Sequence, residues 1–349
     1  MAKFRLAYYG FVPHPMFLET CAKDPDLEVI HIPLEASTAE AVQTLSSCHG
    51  YYVMASRDEL PLPLHVHAEL LGKLPNLLVA ASYGAGYDPL DPIACTAAGV
   101  ALVNQAGGNA EGVAEHAVGM MLACLKRMPE AHAAMIGGTA QNRATLMGRE
   151  LRHRTVGLVG SGNVGTRVAE ICRLAFGCKV IAVDPYLDAE TMKARGVTKV
   201  DMETLLAEAD VVSLHCPLTP ETRGTINAAA FAKMKKGVVF VTTARGSIHD
   251  EDDLLAALNS GHVASAGLDV WELEPPPTDH PLLHHPAVIA SQHTAGVTNE
   301  SRANITKIAA LAFSDLAAGR MPPRIVNPEV KPRFAARYAA AFGTHLRED

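Results

Sequence analysis

The chain has 349 residues, of which 48% are hydrophobic and 19% charged, so it can bury the cores of two domains. Its net charge of −7 argues against a nucleic-acid or anionic-membrane partner, and no apolar run approaches the roughly 20 residues that span a bilayer. Residues 3–9 are expected to form a first strand rather than a secretion signal, because no apolar segment with a small-residue cleavage site follows.

Cysteine and histidine usage argues against disulfides and metal sites. The seven cysteines are odd in number, and none lies in a C-x-x-C motif, so we expect free thiols in a reducing cytoplasm. The H-E-x-x-H motif is absent, and His280, His284 and His285 lie in a Pro-rich segment, so no metal site is predicted.

Strand and helix patterns alternate along the chain, which is typical of α/β domains with parallel sheets. In the first hundred residues, strands are predicted at 27–32, 50–54 and 77–81, and helices at 15–22, 38–47 and 64–74. A long helix is predicted at 110–127; because it is apolar on several faces, it should be buried against both domains or a partner subunit. Residues 137–154 are polar and Gly-rich, and they are interpreted as a connection that reaches over a neighbour.

The next segment carries a nucleotide-binding pattern. An apolar strand at 156–159 is followed by Gly160, Gly162 and Gly165 in the spacing G-x-G-x-x-G, and then by a helix predicted at 164–176. The first glycine permits a tight turn, the second lets the backbone approach a pyrophosphate, and the third lets the helix pack closely on the strand. The free N–H groups at the start of the helix suit the phosphates.

Asp184 indicates which dinucleotide is bound. It follows Gly165 by 19 residues, at the end of a second predicted strand, where a carboxylate can accept hydrogen bonds from the adenosine ribose. A carboxylate repels a ribose 2′-phosphate, and no arginine lies in the next three residues. The sequence therefore predicts NAD rather than NADP.

The later strands end in polar residues. Strands are predicted at 209–215, 237–242, 264–270 and 288–291, and a last long helix at 299–318 precedes a Pro-rich segment and a short helix after residue 328. Because ligands of open parallel sheets bind at the carboxyl ends of the strands, the chemistry is expected at these ends.

Three of these ends, residues 242–246, 267–277 and 291–296, carry motifs through which the chain resembles the NAD-dependent D-isomer-specific 2-hydroxyacid dehydrogenases. Further matches lie at 83–88, 109–116 and 215–224, and the resemblance extends from about residue 50 to residue 328. It implies two doubly wound parallel-sheet domains, a Rossmann NAD-binding domain at 109–296 inserted into a flavodoxin-like substrate domain formed by 1–108 and 297–349. It also implies that the substrate lies in the cleft and that the protein is a homodimer.

The resemblance also implies roles for individual residues. Arg245 corresponds to the substrate-binding arginine, His293 to the acid/base, and Glu274 to the carboxylate paired with that histidine. The predicted cofactor-binding residues are Gly160, Gly162, Asn163, Val164, Asp184, His215, Leu218, Thr243 and Asp269. His215 and Leu218 are included because the loop after a strand end is well placed to line the nicotinamide pocket, and the resemblance implies that Asp269 holds the nicotinamide carboxamide. The implied substrate-binding residues are Ala85, Gly86 and Arg245.

Physical chemistry supports these assignments. Histidine suits transfer of the hydroxyl proton because its pKa lies near neutrality, and a neighbouring carboxylate stabilises the imidazolium. Arginine binds a carboxylate in a planar, bidentate fashion, and Arg245 could also polarise the keto group. The loop at 84–86 can offer backbone N–H groups to the same carboxylate.

Several alternatives stay open. Glu272 competes with Glu274 for the histidine, Arg57 could reach the substrate, and His116 is more simply explained as a packing residue of the long helix. Gln292 stands where the family usually has proline, which could alter the loop that carries His293. The role of the whole chain also has an alternative: NAD-responsive corepressors share this fold. Formate oxidation is disfavoured, because formate enzymes have glutamine in place of Glu274.

Overall fold

The computed structural model describes residues 3–55, 59–138 and 142–347. The chain divides into two compact units, one formed by Met1–Asn109 and Thr298–Asp349 and the other by Ala110–Val297. Among the described helices, none combines the length and the apolar character needed to cross a membrane.

The strands, in chain order, are β1 (Phe4–Tyr9), β2 (Leu27–Ile32), β3 (Gly50–Val53), β4 (Val79–Ser82), β5 (Ala101–Val103), β6 (Thr155–Val159), β7 (Lys179–Val183), β8 (Thr198–Lys199), β9 (Val211–Leu214), β10 (Val238–Thr242), β11 (Val263–Leu268) and β12 (Val288–Ala290). The helices are α1 (Met16–Cys21), α2 (Thr38–Ser46), α3 (Ala68–Leu71), α4 (Pro92–Ala98), α5 (Ala110–Leu125), α6 (Met128–Ile136), α7 (Asn163–Phe176), α8 (Ala189–Ala194), α9 (Met202–Glu208), α10 (Ala228–Lys233), α11 (Glu251–Asn259), α12 (Pro281–His284), α13 (Asn299–Ala317) and α14 (Lys331–Phe342).

The first unit contains a five-stranded parallel sheet with the order β2-β1-β3-β4-β5, which is the flavodoxin-like order. The carboxyl-terminal helices complete its core, because Phe313 of α13 packs its ring against those of Phe17 and Tyr52. The prediction of a helix at 64–74 is wrong at both ends, because the helix spans only Ala68–Leu71. Val66 pairs instead with Leu90 in an isolated parallel bridge, and α3 begins only at Ala68.

The second unit contains a seven-stranded parallel sheet with the order β12-β11-β10-β9-β6-β7-β8. The chain runs outward from β6 through β7 to β8 and then returns to β9 on the other side of β6. This reversal makes a switch point between β6 and β9, where ligands of such sheets bind. Helix α5 packs on α7, β10 and β11, and most of its buried residues belong to the core of this unit.

The long helix ends two residues before its predicted end, and a second helix, for which no pattern was predicted, follows it. Arg127 takes a left-handed conformation with φ of 54°, which breaks the helix between α5 and α6. No residue of α6 is buried, although Met135 and Ile136 are large and apolar, with exposed fractions of 81% and 75%.

Candidate active site

The glycine-rich loop between β6 and α7 meets the steric demands that its spacing predicts. Gly160 has a left-handed φ of 96°, and a Cβ at this position would lie 2.8 Å from the backbone nitrogen of Cys216. A Cβ at Gly165 would lie 2.3 Å from the carbonyl oxygen of Gly160, so α7 packs too closely on the loop for any side chain there. A Cβ at Gly162 would meet nothing within 4 Å among the described residues, which leaves open space in front of the α7 amino terminus.

Asp184 is held at the end of β7 by backbone groups. Its Oδ2 accepts the N–H of Ser161 at 2.9 Å, and its Oδ1 accepts the N–H groups of Tyr186 and Leu187 at 3.0 and 3.3 Å. These contacts fix the carboxylate beside the glycine-rich loop, where an acceptor for ribose hydroxyls is expected.

Several predicted cofactor-binding residues lie at the same edge of the sheet, because they follow the carboxyl ends of the parallel neighbours β6 and β9. Asn163 and Val164 begin α7, and His215 and Leu218 follow β9. The Nε2 atom of His215 contacts the Ser213 hydroxyl at 2.9 Å, and burial lowers the pKa of its imidazole to about 4, so the ring is neutral.

Buried polar atoms just after the carboxyl ends of β6, β9 and β10 support the binding of a polar ligand. The Ser161 hydroxyl, the Thr243 hydroxyl and the Nδ1 atom of His215 are buried and have no hydrogen-bond partner among the described residues. Buried polar groups normally have partners. Together with the open space at Gly162 and the carboxylate of Asp184, these atoms fit a dinucleotide.

Arg245 follows β10 and begins a short 3₁₀ turn. The next residue, Gly246, packs directly on the loop that follows β11, because a Cβ there would lie 2.0 Å from the carbonyl carbon of Trp271. Nη1 of Arg245 donates to the Ala244 carbonyl at 2.6 Å. This close approach therefore places the backbone of Arg245 beside the loop that carries Glu274.

His293 and Glu274 form a hydrogen-bonded pair. Nδ1 of His293 lies 2.7 Å from Oε2 of Glu274, and the N–H of Trp271 donates to the other carboxylate oxygen at 3.0 Å. The competing acid, Glu272, is exposed, and its own backbone N–H donates to Glu251. The structure thus brings Glu274 to the histidine.

Each side chain of this pair shifts the pKa of the other in the direction that favours its charged form. Burial alone would lower the pKa of His293, but the hydrogen bond and charge of Glu274 outweigh burial and hold this pKa above its ordinary value. Burial alone would raise the pKa of Glu274, but the hydrogen bond and charge of His293 lower it overall. The guanidinium of Arg245 lowers both pKa values, so it lies within electrostatic reach of the pair.

The loop that carries His293 is anchored by Asp269, whose side chain is fully buried. Oδ1 accepts the N–H of Thr294 at 2.8 Å, Oδ2 accepts that of Ala295 at 3.0 Å, and the Asp269 carbonyl accepts that of His293 at 2.7 Å. The expected contact of Asp269 with a nicotinamide stays a prediction, and the structure adds a role in holding the loop.

The remaining predicted residues are placed as follows. In the first unit, Ala85 and Gly86 are partly buried in the loop after β4, and the Asn104 amide donates to the Ala85 carbonyl at 2.8 Å. Arg57 lies outside the described residues, and Gln292 is exposed. In the part of the chain that is described, no group of three or more histidine, cysteine or acidic side chains is arranged to hold a metal ion.

Comparisons with known proteins agree with this architecture. Residues 118–295 match the family model described as D-isomer specific 2-hydroxyacid dehydrogenase, NAD binding domain. A D-3-phosphoglycerate dehydrogenase of Archaeoglobus fulgidus is 41% identical over 268 residues, which cover 76% of this chain and 50% of that protein. The chain spans about half the length of the curated relatives that it matches first.

Two solved structures cover nearly the whole chain. The TT0316 protein from Thermus thermophilus superposes with a TM-score of 0.79 at 31% identity, covering 92% of this chain and 99% of that one. A D-lactate dehydrogenase from Aquifex aeolicus, solved with NAD and lactic acid, gives a TM-score of 0.75 at 28% identity and covers 90% and 96%. The predicted family, the parallel α/β fold with a Rossmann domain and the NAD cofactor are confirmed. This chain belongs to the D-isomer specific 2-hydroxyacid dehydrogenase family, and its second unit contains the NAD-binding domain of that family.

Proposed function

We propose that this protein transfers a hydride between NAD(H) and a small 2-keto acid or (R)-2-hydroxy acid, with His293 as the acid/base. The observation that carries the proposal is the His293–Glu274 pair at 2.7 Å, with Arg245 within electrostatic reach. An imidazole, a carboxylate and a guanidinium are the groups that keto-acid reduction requires of a protein.

His293 moves the proton in this proposal. Because Nδ1 faces Glu274, the proton that can reach a substrate is the one on Nε2. During reduction the imidazolium donates this proton to the keto oxygen, and during oxidation the neutral ring accepts it back from the hydroxyl. Glu274 stabilises the imidazolium and fixes the orientation of the ring.

Arg245 binds the carboxylate of the substrate in this proposal. A guanidinium offers paired N–H donors that match a carboxylate, and its charge stabilises the negative charge that develops on the keto oxygen. NADH, held by the glycine-rich loop and Asp184, would supply the hydride from C4 of its nicotinamide. Ala85 and Gly86 stay predicted donors to the substrate carboxylate.

The substrate side chain is proposed to be small or apolar. A phosphorylated substrate would need additional cations, and apart from Arg57 the sequence offers few candidates near the predicted site. The relatives include both a phosphoglycerate dehydrogenase and a lactate dehydrogenase, so both substrate types belong in the test.

The proposal is tested by following NADH absorbance with glyoxylate, hydroxypyruvate, pyruvate, and branched and aromatic keto acids, and NAD reduction with D-3-phosphoglycerate. We expect oxidation of NADH with at least one small or apolar keto acid. Tight NADH binding without turnover of any substrate would favour a corepressor-like binding protein instead.

We also propose that the protein is a cytoplasmic homodimer. All seven cysteines are free, and all but Cys216 are buried, as expected for a reducing compartment. Helix α6 exposes the apolar residues Met128, Met135 and Ile136, and Met147 is exposed as well; we infer that a second copy covers these residues. Sedimentation of the wild type and of Ile136→Asp tests this: we expect a dimer that the charge weakens, and a monomeric wild type would contradict it.

A further inference from the structure

The carboxylate of Asp269 has a third partner besides the two backbone N–H groups of the His293 loop. The hydroxyl of Ser291, the residue after β12, donates to Oδ1 at 2.5 Å. Asp269 is fully buried, and a buried carboxylate is costly unless hydrogen bonds satisfy it. Ser291 therefore supplies one of the contacts that let this charge remain in the core.

His116 extends this chain of contacts. Its Nε2 atom lies 3.0 Å from the Ser291 hydroxyl and 3.8 Å from Oδ1 of Asp269. An ionised carboxylate only accepts, so the serine hydrogen points to Asp269, and the hydroxyl oxygen accepts a hydrogen from His116. His116 therefore carries a proton on Nε2 and is more than a packing residue of α5.

The loop needs such support because His293 has a left-handed φ of 49°. Residues other than glycine rarely adopt this conformation, and it persists only where surrounding contacts hold it. The contacts here are three backbone N–H groups, those of residues 293, 294 and 295, and all three donate to Asp269.

We propose that Ser291 and His116 are positioning residues for His293. They hold the Asp269 carboxylate by a hydrogen-bond relay, and Asp269 in turn fixes the backbone that aims the imidazole. Neither residue touches the reacting atoms in this account. The predicted effect on turnover rests on the proposed function, whereas the predicted effect on the loop does not.

The experiment compares Ser291→Ala, which removes the hydroxyl, with Ser291→Thr, which keeps it, and with Ser260→Ala as a control in the same unit. The Ser260 hydroxyl donates to the Ala257 carbonyl of α11 at 3.0 Å and accepts the N–H of His262 at 3.4 Å. For Ser291→Ala we expect kcat to fall about tenfold, roughly what one charge-assisted hydrogen bond supports, while the KM for keto acid and the Kd for NADH change less than about twofold. The loss of kcat for keto-acid reduction at high pH should begin at a lower pH than in the wild type. A loosened loop weakens the contact of His293 with Glu274, and this contact is what raises the pKa of His293.

Ser291→Thr should restore kcat to within about threefold of the wild type, and His116→Leu should resemble Ser291→Ala in a milder form. A readout independent of activity is hydrogen exchange at the N–H groups of Thr294 and Ala295. It should accelerate in Ser291→Ala and His116→Leu but not in Ser260→Ala.

Unchanged kcat and unchanged exchange in Ser291→Ala would overturn the proposal. So would a parallel loss of stability and NADH binding that threonine fails to rescue, since that pattern indicates general disruption. If the wild type reduces no keto acid, the proposed function fails, and the exchange rates alone then decide whether the relay holds the loop.

Discussion

Nδ1 of His293 lies 2.7 Å from Oε2 of Glu274, although the two residues are 19 positions apart in the chain. The other carboxylate oxygen accepts the N–H of Trp271, so a contact within its own loop also orients the Glu274 side chain. This geometry favours the imidazolium and leaves Nε2 as the atom that can exchange a proton with a substrate.

The first prediction concerns the pH dependence of catalysis. Glu274 raises the pKa of His293, and keto-acid reduction requires the protonated ring, so the rate of reduction should fall as pH rises through this raised pKa. Glu274→Gln removes the charge, and the fall should then occur at lower pH. Oxidation of the hydroxy acid requires the neutral ring, so its rate should rise with pH through the same pKa.

The measurement is kcat/KM from pH 5 to 10 in both directions, with Glu272→Gln as the matched control. Glu272 lies two residues away and is exposed, so its variant should follow the wild-type profile. Identical profiles for Glu274→Gln and the wild type would contradict the role of the pair.

The second prediction concerns Arg245. Arg245→Lys keeps the charge but loses the paired donors, so kcat/KM for the keto acid should fall by about tenfold to a hundredfold. The Kd for NADH, measured by fluorescence, should stay within about twofold of the wild type. Arg152→Lys, at an exposed position of the same unit, is the control. Loss of NADH affinity with unchanged keto-acid kinetics would show that Arg245 serves the cofactor instead.

The third prediction distinguishes the roles of two glycines in one motif: Gly165 allows close packing, and Gly162 leaves room for the cofactor. Gly165→Ala should destabilise the second unit by about 1–3 kcal/mol, because its Cβ would overlap the carbonyl oxygen of Gly160. Gly162→Ala should leave the melting temperature nearly unchanged, because the described residues leave its Cβ in open space. It should nevertheless weaken NADH binding by more than about tenfold, since the methyl group occupies the approach of the pyrophosphate.

Thermal unfolding of the variants without NADH, followed by NADH titration, checks this third prediction. Equal losses of stability in the two variants would contradict the steric account. Undiminished NADH binding by Gly162→Ala would show that the pyrophosphate does not bind at this loop.

The sequence predicted those features that depend on short spacings. The three glycines, the strand before them and Asp184 lie close together in the chain, and the backbone conformations they require follow from local sterics. The candidate residues Arg245, Glu274 and His293 were found through motifs at strand ends, which parallel sheets bring to one edge. Their roles remain predictions.

Features that depend on tertiary contacts were missed. The helix predicted at 64–74 starts late because Val66 pairs with Leu90, which lies 24 residues further along the chain. The contact between His116 and Ser291 joins residues that are 175 positions apart, and nothing local to either one indicates it. Helix α6 was missed because its apolar residues are exposed rather than buried against the sheet.

The most direct test of the acid/base assignment is a single-turnover reaction with NADH that carries deuterium at both C4 positions. The wild type should yield an (R)-2-hydroxy acid that contains one deuterium at C2. His293→Asn, which tolerates the left-handed backbone, should bind NADH normally but transfer the label at least about a hundredfold more slowly. Transfer at the wild-type rate by this variant, or no transfer to any keto acid by the wild type, would contradict the account.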